Sequence, residues 1–278
     1  MRKVWFITGA GSGIGAATAR TALAAGDRVV ATGRNLGKVR QALGDLAGDN
    51  LAFVPLDVAN EMQAKMAVDE AMEAFGRIDI LVNNAGYSLL GNFEELSIPE
   101  IEGLMSTNFY GVMHVMRAVL PIMRQQRSGR IINISSLAGI VGFKHYAAYS
   151  AAKFAVEGLS RSVAQEVEPF GIKIIAVEPG FFRTDLLDVQ NARYGRSTIA
   201  DYASEGSAEA MWSGYNGAQQ GDPAKLGDVL VKIAGMDNPP QQFAAGSDAL
   251  AVARPALEAR LEELRAYESM SKSTDGSF

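Results

Sequence analysis

The chain has 278 residues, 48% of them hydrophobic, with 26 basic and 31 acidic side chains and a formal net charge of −5. It is long enough to bury a large core, and its interspersed charges form no basic stripe of the kind that tracks a nucleic-acid backbone. With no cysteine and only His114 and His145, disulfides, thiolate metal sites and histidine clusters are excluded, a reducing compartment is compatible, and no metal is expected.

From the amino end, MRKVWFIT sets two cations before an apolar run that lasts only from Val4 to Ile7, short of the ~7 to 15 residues of a secretory core. No apolar run reaches the ~18 to 20 residues of a membrane span, so the expectation is a soluble, cytoplasmic protein with no membrane partner. VWFIT (4–8), RVVAT (28–32), LAFVP (51–55), IDILV (78–82), RIINIS (130–135) and IKIIAVE (172–178) are short runs rich in Val and Ile. They read as strands buried on both faces. Segments 14–25, 36–46 and 62–75 between them have helical spacing. This alternation implies right-handed crossovers and a parallel sheet with helices on both faces. Nothing reads as a linker, so one domain is expected over residues 1–278.

The loop after the first strand, ITGAGSGIGAA, places Gly9, Gly13 and Gly15 around Ser12 and Ile14. Glycine reaches turn conformations closed to other residues and lets backbone approach a pyrophosphate, while the following helix offers free N–H groups and the positive end of its dipole. A tight turn without a ligand is the alternative; the position between first strand and first helix favours a dinucleotide. Such a unit usually has a carboxylate about 20 residues on for the adenine ribose, but RVVATGRN has none and offers Arg34. A guanidinium grips a 2′-phosphate that a carboxylate repels. NADP(H) is therefore expected over NAD(H), with a solvated loop arginine as the alternative. Asp57 and Val58 follow the third strand, where they would meet the adenine, and Asn84, Ala85 and Gly86 of NNAG end the fourth, where strand ends converge on a ligand. Asn83 and Asn84 also read as turn residues.

Segment 99–127 is long for one helix and contains Pro121, which removes a backbone donor and is expected to bend or end it. A second long helix is expected at 146–168, stopped by Pro169 and Gly171. Both apolar stripes are wide enough for the sheet and a neighbouring copy, so a homodimer or homotetramer through 100–126 and 146–168 is expected, although an ordinary core accounts for them almost as well. In the second helix YSAAK sets Tyr149 and Lys153 four residues apart, on one face with Val156, Val163 and Val167. The pair is either a surface cation–aromatic contact or a proton-transfer device. Ser136, ending the fifth strand, favours the device, because the carboxyl ends of parallel strands share the edge that holds the glycine loop. Bringing a phenol from a pKa of ~10 to ~7 takes about 4 kcal/mol. An ammonium ~4 Å away at an effective dielectric near 20 supplies about that much, so Lys153 alone is expected to make Tyr149 an acid or base near neutrality.

Beyond Gly180, segment 188–220 is rich in Gly, Ser, Ala and Asn with interspersed aromatics and suits a mobile covering segment. A helix near 225–235, a strand at QQFAA (241–245), an amphipathic helix at 249–269 and a frayed tail from about 270 complete the chain. Candidates for the substrate wall are Leu90, Phe93, Val141, Phe143, His145, Tyr146, Phe181, Leu187, Tyr194, Met211 and Trp212. Their apolar and aromatic character points to a small hydrophobic aldehyde, ketone or secondary alcohol. His145 reads as a rim residue or a solvated loop histidine, and Lys144, Arg183 and Arg193 leave an anionic substrate open.

TGAGSGIG, NNAG, Asn108 within NFYG, Ser136 followed by YSAAK, and PGFFRT (179–184) together resemble the ordered signature of the short-chain dehydrogenase/reductase family over residues 3–186. The resemblance implies a Rossmann-type, doubly wound α/β fold of about seven parallel strands and a carbonyl or alcohol substrate. It implies Tyr149 as general acid/base, Ser136 as orienter of the substrate oxygen, and Lys153 on the nicotinamide ribose. It also implies Asn108 holding a water that links the lysine to solvent, and Thr184, after Pro179 and Gly180, on the carboxamide. Spacing alone makes Asn108 an exposed mid-helix residue. Three readings stay open: an NADPH-dependent carbonyl reductase or alcohol dehydrogenase, a 3-oxoacyl thioester reductase with the same catalytic residues, and a cofactor-binding regulator without chemistry.

Overall fold

The computed structural model describes residues 2–187, 191–203 and 206–276, apart from the side chains of Leu187 and Ala203. Among these residues the strands are β1 (Val4–Ile7), β2 (Arg28–Gly33), β3 (Leu51–Pro55), β4 (Ile80–Asn83), β5 (Ser88–Leu90), β6 (Gly129–Ile134), β7 (Ile172–Pro179), β8 (Ala192–Tyr194) and β9 (Gln242–Ala245). Seven form one sheet in the order β3-β2-β1-β4-β6-β7-β9, and every pairing in it is parallel. The expected doubly wound Rossmann-type architecture is what the chain adopts.

Strand side chains alternate between faces, and both faces here are apolar. Val4 and Phe6 of β1 pack toward α3 (Glu61–Phe75), α5 (Gly111–Gln126) and α6 (Ala147–Val167). Trp5 and Ile7 pack toward α1 (Gly13–Ala24), α2 (Leu36–Leu43) and α9 (Pro223–Gly235). Local chemistry sets the helix ends. Asn35 and Asn60 cap α2 and α3 by accepting from the backbone N–H three residues on, each at 3.1 Å, and Gly76 closes α3 in the left-handed conformation at φ 74°. Ser97 and Glu100 form a capping box that opens α4 (Ile98–Met105).

The long segment holding Pro121 is not interrupted there. The proline lies inside α5, which continues to Gln126; the irregularity is a wide π turn at Ser106–Tyr110, between α4 and α5. A proline forfeits one hydrogen bond, which a well-buried helix tolerates, whereas the wide turn brings Asn108 inside. Contrary to the exposed position expected from spacing, Asn108 is buried.

Two short strands were not legible: β5 and β8 pair in parallel beside the main sheet and tie the covering segment down. The described part of that segment also holds α7 (Ala200–Ala203) and α8 (Ala208–Ser213), while 188–190 and 204–205 lie outside the described residues. At the carboxyl end α10 (Ser247–Ala266) is followed by α11 (Glu268–Lys272), so helix reaches into the region expected to fray. No helix among the described residues is long and apolar enough to cross a membrane.

A buried polar chain joins the centre of the sheet to α6. Asn83 Nδ2 donates to Asn133 Oδ1 at 2.8 Å, Asn133 Nδ2 to Ser160 Oγ at 2.9 Å, and Ser160 Oγ to the Val156 carbonyl at 2.7 Å. Asn83 is thus a strand residue with a structural partner, not a turn residue. Asn133→Ala strands the Asn83 amide in the core and is expected to cost about 2 to 3 kcal/mol in urea unfolding; a loss under ~0.5 kcal/mol would remove the network from the account of stability.

Candidate active site

The strand order reverses about β1 and β4, where the loops after these strands part and leave a crevice at the carboxyl edge. Thr8 fastens the two loops: its Oγ1 accepts from the backbone N–H groups of Asn84 at 2.9 Å and Ala85 at 3.0 Å. Asn84 returns the contact, Nδ2 donating to the carbonyls of Thr8 at 3.0 Å and Gly9 at 3.1 Å. The crevice is a cleft of about 330 Å³.

The glycine loop forms its floor. Gly9 and Gly13 sit at φ 64° and 53°, in the left-handed region where a side chain is strained. A Cβ on Gly9 would lie 2.9 Å from Ala85 Cα. Ser12 makes no side-chain cap on α1, which leaves first-turn N–H donors for a ligand. This uncapped, glycine-rich cradle fits the phosphates of a dinucleotide. Ser12, Ile14, Asp57, Val58, Asn84, Ala85, Gly86, Pro179, Gly180 and Thr184 line the same cleft. Gly15 does not: its Cβ would meet Asn84 Nδ2 and the Gly9 carbonyl at 2.5 Å, so it permits the packing of loop on helix. At one end stand Arg34, exposed, and two residues that sequence reading missed, Asn35 and Lys38. Lys38 lies four residues after Arg34, in the first turn of α2, close enough in the chain to have been flagged; it pairs with Asp185 at 3.6 Å.

Ser136, Tyr149, Lys153 and Asn108 line the cleft around its deeper part. Tyr149 and Lys153 are buried on one face of α6, with Lys153 Nζ 5.5 Å from the centre of the Tyr149 ring. Nζ donates to the Ile134 carbonyl at 2.8 Å. Asn108 is clasped to Tyr87 by two bonds, Oδ1 accepting from its N–H at 3.1 Å and Nδ2 donating to its carbonyl at 2.9 Å.

Electrostatics correct one expectation. Burial pushes the Tyr149 phenol up to about 12, against the opposing pull of a hydrogen bond with Ser136. Burial lowers Lys153 to about 8, with Glu157 holding it up. The lysine alone does not bring the phenol near neutrality. A four-residue spacing shows the attraction between the two groups but not the desolvation that enclosing them costs.

The substrate wall is narrower than expected. Phe143, Tyr146, Phe181 and Trp212 line the cleft, with ring centres 4.6 Å apart for Tyr146 and Trp212, 6.3 Å for Phe143 and Tyr146, and 6.0 Å for Phe181 and Trp212. Leu90 is buried in the core and Tyr194 packs, partly buried, against the same apolar cluster, neither on the cleft surface. Phe93 and Met211 face solvent, 67% and 39% exposed, and Val141 lies off the cleft. The Leu187 side chain lies outside what is described. His145 is neither rim nor solvated: it is buried at φ 66°, and neither ring nitrogen has a hydrogen-bond partner among the described residues. Tyr87, Leu137 and Gln219 line the cleft with no sequence signal.

Glu95 latches the covering segment. Its Oε1 accepts from the N–H groups of Thr198 at 2.6 Å and Ile199 at 2.7 Å, and its Oε2 accepts from Asn92 at 2.8 Å. The Ile199 N–H, then Asn92 and Thr198, hold this carboxyl below its ordinary range, and Tyr202 donates to neighbouring Glu94. Glu95→Ala is expected to speed proteolysis within 195–203 and to raise the KM of whatever the wall holds several-fold with a smaller change in kcat. A KM within twofold of the parent protein, or unchanged cleavage, would show that the latch is dispensable.

The family described as short chain dehydrogenase matches residues 3–195. A 3-ketodihydrosphingosine reductase from Bacteroides thetaiotaomicron is 38% identical over 248 residues, covering 88% of this chain and 88% of that protein. The crystal structure of a short-chain dehydrogenase from Streptomyces avermitilis superposes with a TM-score of 0.90 at 37% identity, covering 99% of this chain and 100% of that one. ElxO with NADP bound gives a TM-score of 0.75 at 29% identity, covering 90% of this chain and 100% of that one.

Proposed function

Since this chain belongs to the short-chain dehydrogenase family, we propose that it is an NADP(H)-dependent oxidoreductase acting on a hydrophobic ketone, aldehyde or secondary alcohol. The observation that carries the reading is the convergence of Ser136, Tyr149 and Lys153 on the cleft floored by the glycine cradle. A nicotinamide held in this cleft would supply or accept the hydride. In the reducing direction Tyr149, which burial keeps protonated, donates its phenolic proton to the substrate oxygen while the Ser136 hydroxyl donates a hydrogen bond to the same atom. Both act where negative charge develops, the interaction that lowers the barrier. Lys153, an ammonium at neutral pH, offsets the charge left on Tyr149. Asn108 would hold the water through which that proton is replaced.

Arg34 and Lys38 on the cleft, with no carboxylate ending β2, support NADP(H) over NAD(H). Solved neighbours carry either cofactor, NADP in ElxO and NADH in a 3-ketoacyl-(acyl-carrier-protein) reductase from Brucella melitensis, so the preference rests on Arg34 and Lys38. Phe143, Tyr146, Phe181 and Trp212 support an apolar substrate, and the Bacteroides relative is named for the reduction of a ketone. We also read a homodimer or homotetramer through α5 and α6, since Tyr110, preceding α5, and Phe154 on α6 expose apolar surface. The test is oxidation of NADPH and of NADH by the purified protein against a panel of aldehydes, long-chain ketones and a 3-oxoacyl thioester. Turnover preferring NADPH and apolar ketones is expected; turnover confined to the thioester would move the substrate class, and binding of NADPH without turnover on any member would favour a regulator.

A further inference from the structure

Two carboxylates lie behind the catalytic face of α6. Glu157, one turn beyond Lys153, is 3% exposed, and Glu178, near the end of β7, is 4% exposed. A single amide bridges them: Gln242 Nε2 on β9 donates to Glu157 Oε2 at 3.1 Å and to Glu178 Oε1 at 2.8 Å. That NH₂ has one hydrogen for each acid, and Glu157 Oε1 is left without a partner among the described residues. Two enclosed like charges tied by one neutral donor do not both ionise readily.

The remaining charges that face the pair are few. Lys153 and Arg161 lie one turn to either side of Glu157 on α6, with Arg161 Nη2 4.0 Å from Glu157 Oε2 on the solvent side, and Tyr149 lies a turn further. β9 brings only the neutral Gln242, and the turn Leu137–Gly139 brings no ionisable group. Asp248 of α10 is turned away to the Phe181 N–H at 2.6 Å.

We propose that Glu157 and Glu178, tied by Gln242, carry one proton between them and act as positioning residues that hold Lys153 as an ammonium, setting the upper pH limit of the reaction. The proposal rests on the reading of Tyr149 and Lys153 given above. Glu178 is the member that holds the proton: burial first, then Glu157, pushes it up to about 7. Above that pH Glu178 adds its own negative charge behind Lys153. The second charge supports the ammonium over the range where burial alone would release its proton.

Glu178→Gln keeps shape and hydrogen-bonding while removing the second charge. It is expected to leave the acidic side of the kcat/KM profile in place and to lower the alkaline limb by about one pH unit. Glu157→Gln, which removes the charge nearer Lys153, is expected to lower the limb further. A readout without cofactor or turnover reports on Glu178 itself. A carboxyl whose folded pKa is raised binds more protons folded than unfolded between its ordinary value and about 7, so stability falls as pH rises across that window. Melting temperature should therefore drop between pH 5 and pH 7 more steeply in the parent protein than in Glu178→Gln.

Lys153→Met is run alongside. If it retains full turnover, the reading of Lys153 fails whatever the glutamates do. If it is inactive while both glutamine variants keep the parental alkaline limb, or while the melting slope of Glu178→Gln matches the parent, the shared proton is overturned and the pair is only structural.

Discussion

Tyr149→Phe is expected to lower kcat for ketone reduction by about 10² to 10⁴-fold, the span over which a positioned general acid contributes, while the dissociation constant for NADPH stays unchanged. The substitution removes one oxygen and little else. The ring is enclosed against Tyr146, with centres 5.6 Å apart, and Lys153 keeps its bond to the Ile134 carbonyl at 2.8 Å. Because burial penalises the phenolate, the hydroxyl's worth to folding is small and its worth to a developing alkoxide is large. Fluorescence titration of NADPH and steady-state kinetics on one preparation separate the two quantities. Equal losses in affinity and turnover would point to a disturbed cleft, and turnover within tenfold of the parent would remove Tyr149 as the proton donor.

Arg34→Asp should reverse the choice of cofactor. Hydrogen bonds from a cation to a phosphate are worth about 1.5 to 3 kcal/mol, so the KM for NADPH is expected to rise by about 10 to 100-fold, more where the new carboxylate repels the 2′-phosphate. The KM for NADH should hold or fall, since an acid at that place can accept from ribose hydroxyls. Arg34 is exposed and outside both cores, so the melting temperature should not move. Lys38, already paired with Asp185, leaves a residual NADPH preference. An NADPH KM within twofold of the parent would make Arg34 a solvated loop residue.

Where chemistry is local, sequence spoke clearly. Short Val and Ile runs became strands because both faces of the sheet are covered, and the glycine loop became a cradle because Gly9 and Gly13 take conformations few residues tolerate. Tyr149 and Lys153 fell on one face because helical spacing alone decides it. What escaped depends on contacts between distant segments. Nothing near Glu178 in the chain foretells Gln242, and nothing in SLL or ARY announces that β5 and β8 pair. Phe93 and Leu90 are alike in apolar character, which does not say whether a side chain faces core, cleft or water. The charge state of Tyr149 went astray because attraction is visible in a four-residue spacing and enclosure is not.

The wide turn at Ser106–Tyr110 amounts to one residue more than a continuous helix through α4 and α5 would need. Such an insertion does not throw the following helix out of phase, because the bulge absorbs it within a single turn. Sheet and core could therefore be built from a shorter chain at this point. The surplus residue marks where architecture and chemistry part company: the fold can do without it, and the inward turn of the Asn108 amide, clasped to Tyr87 beside the cleft, cannot.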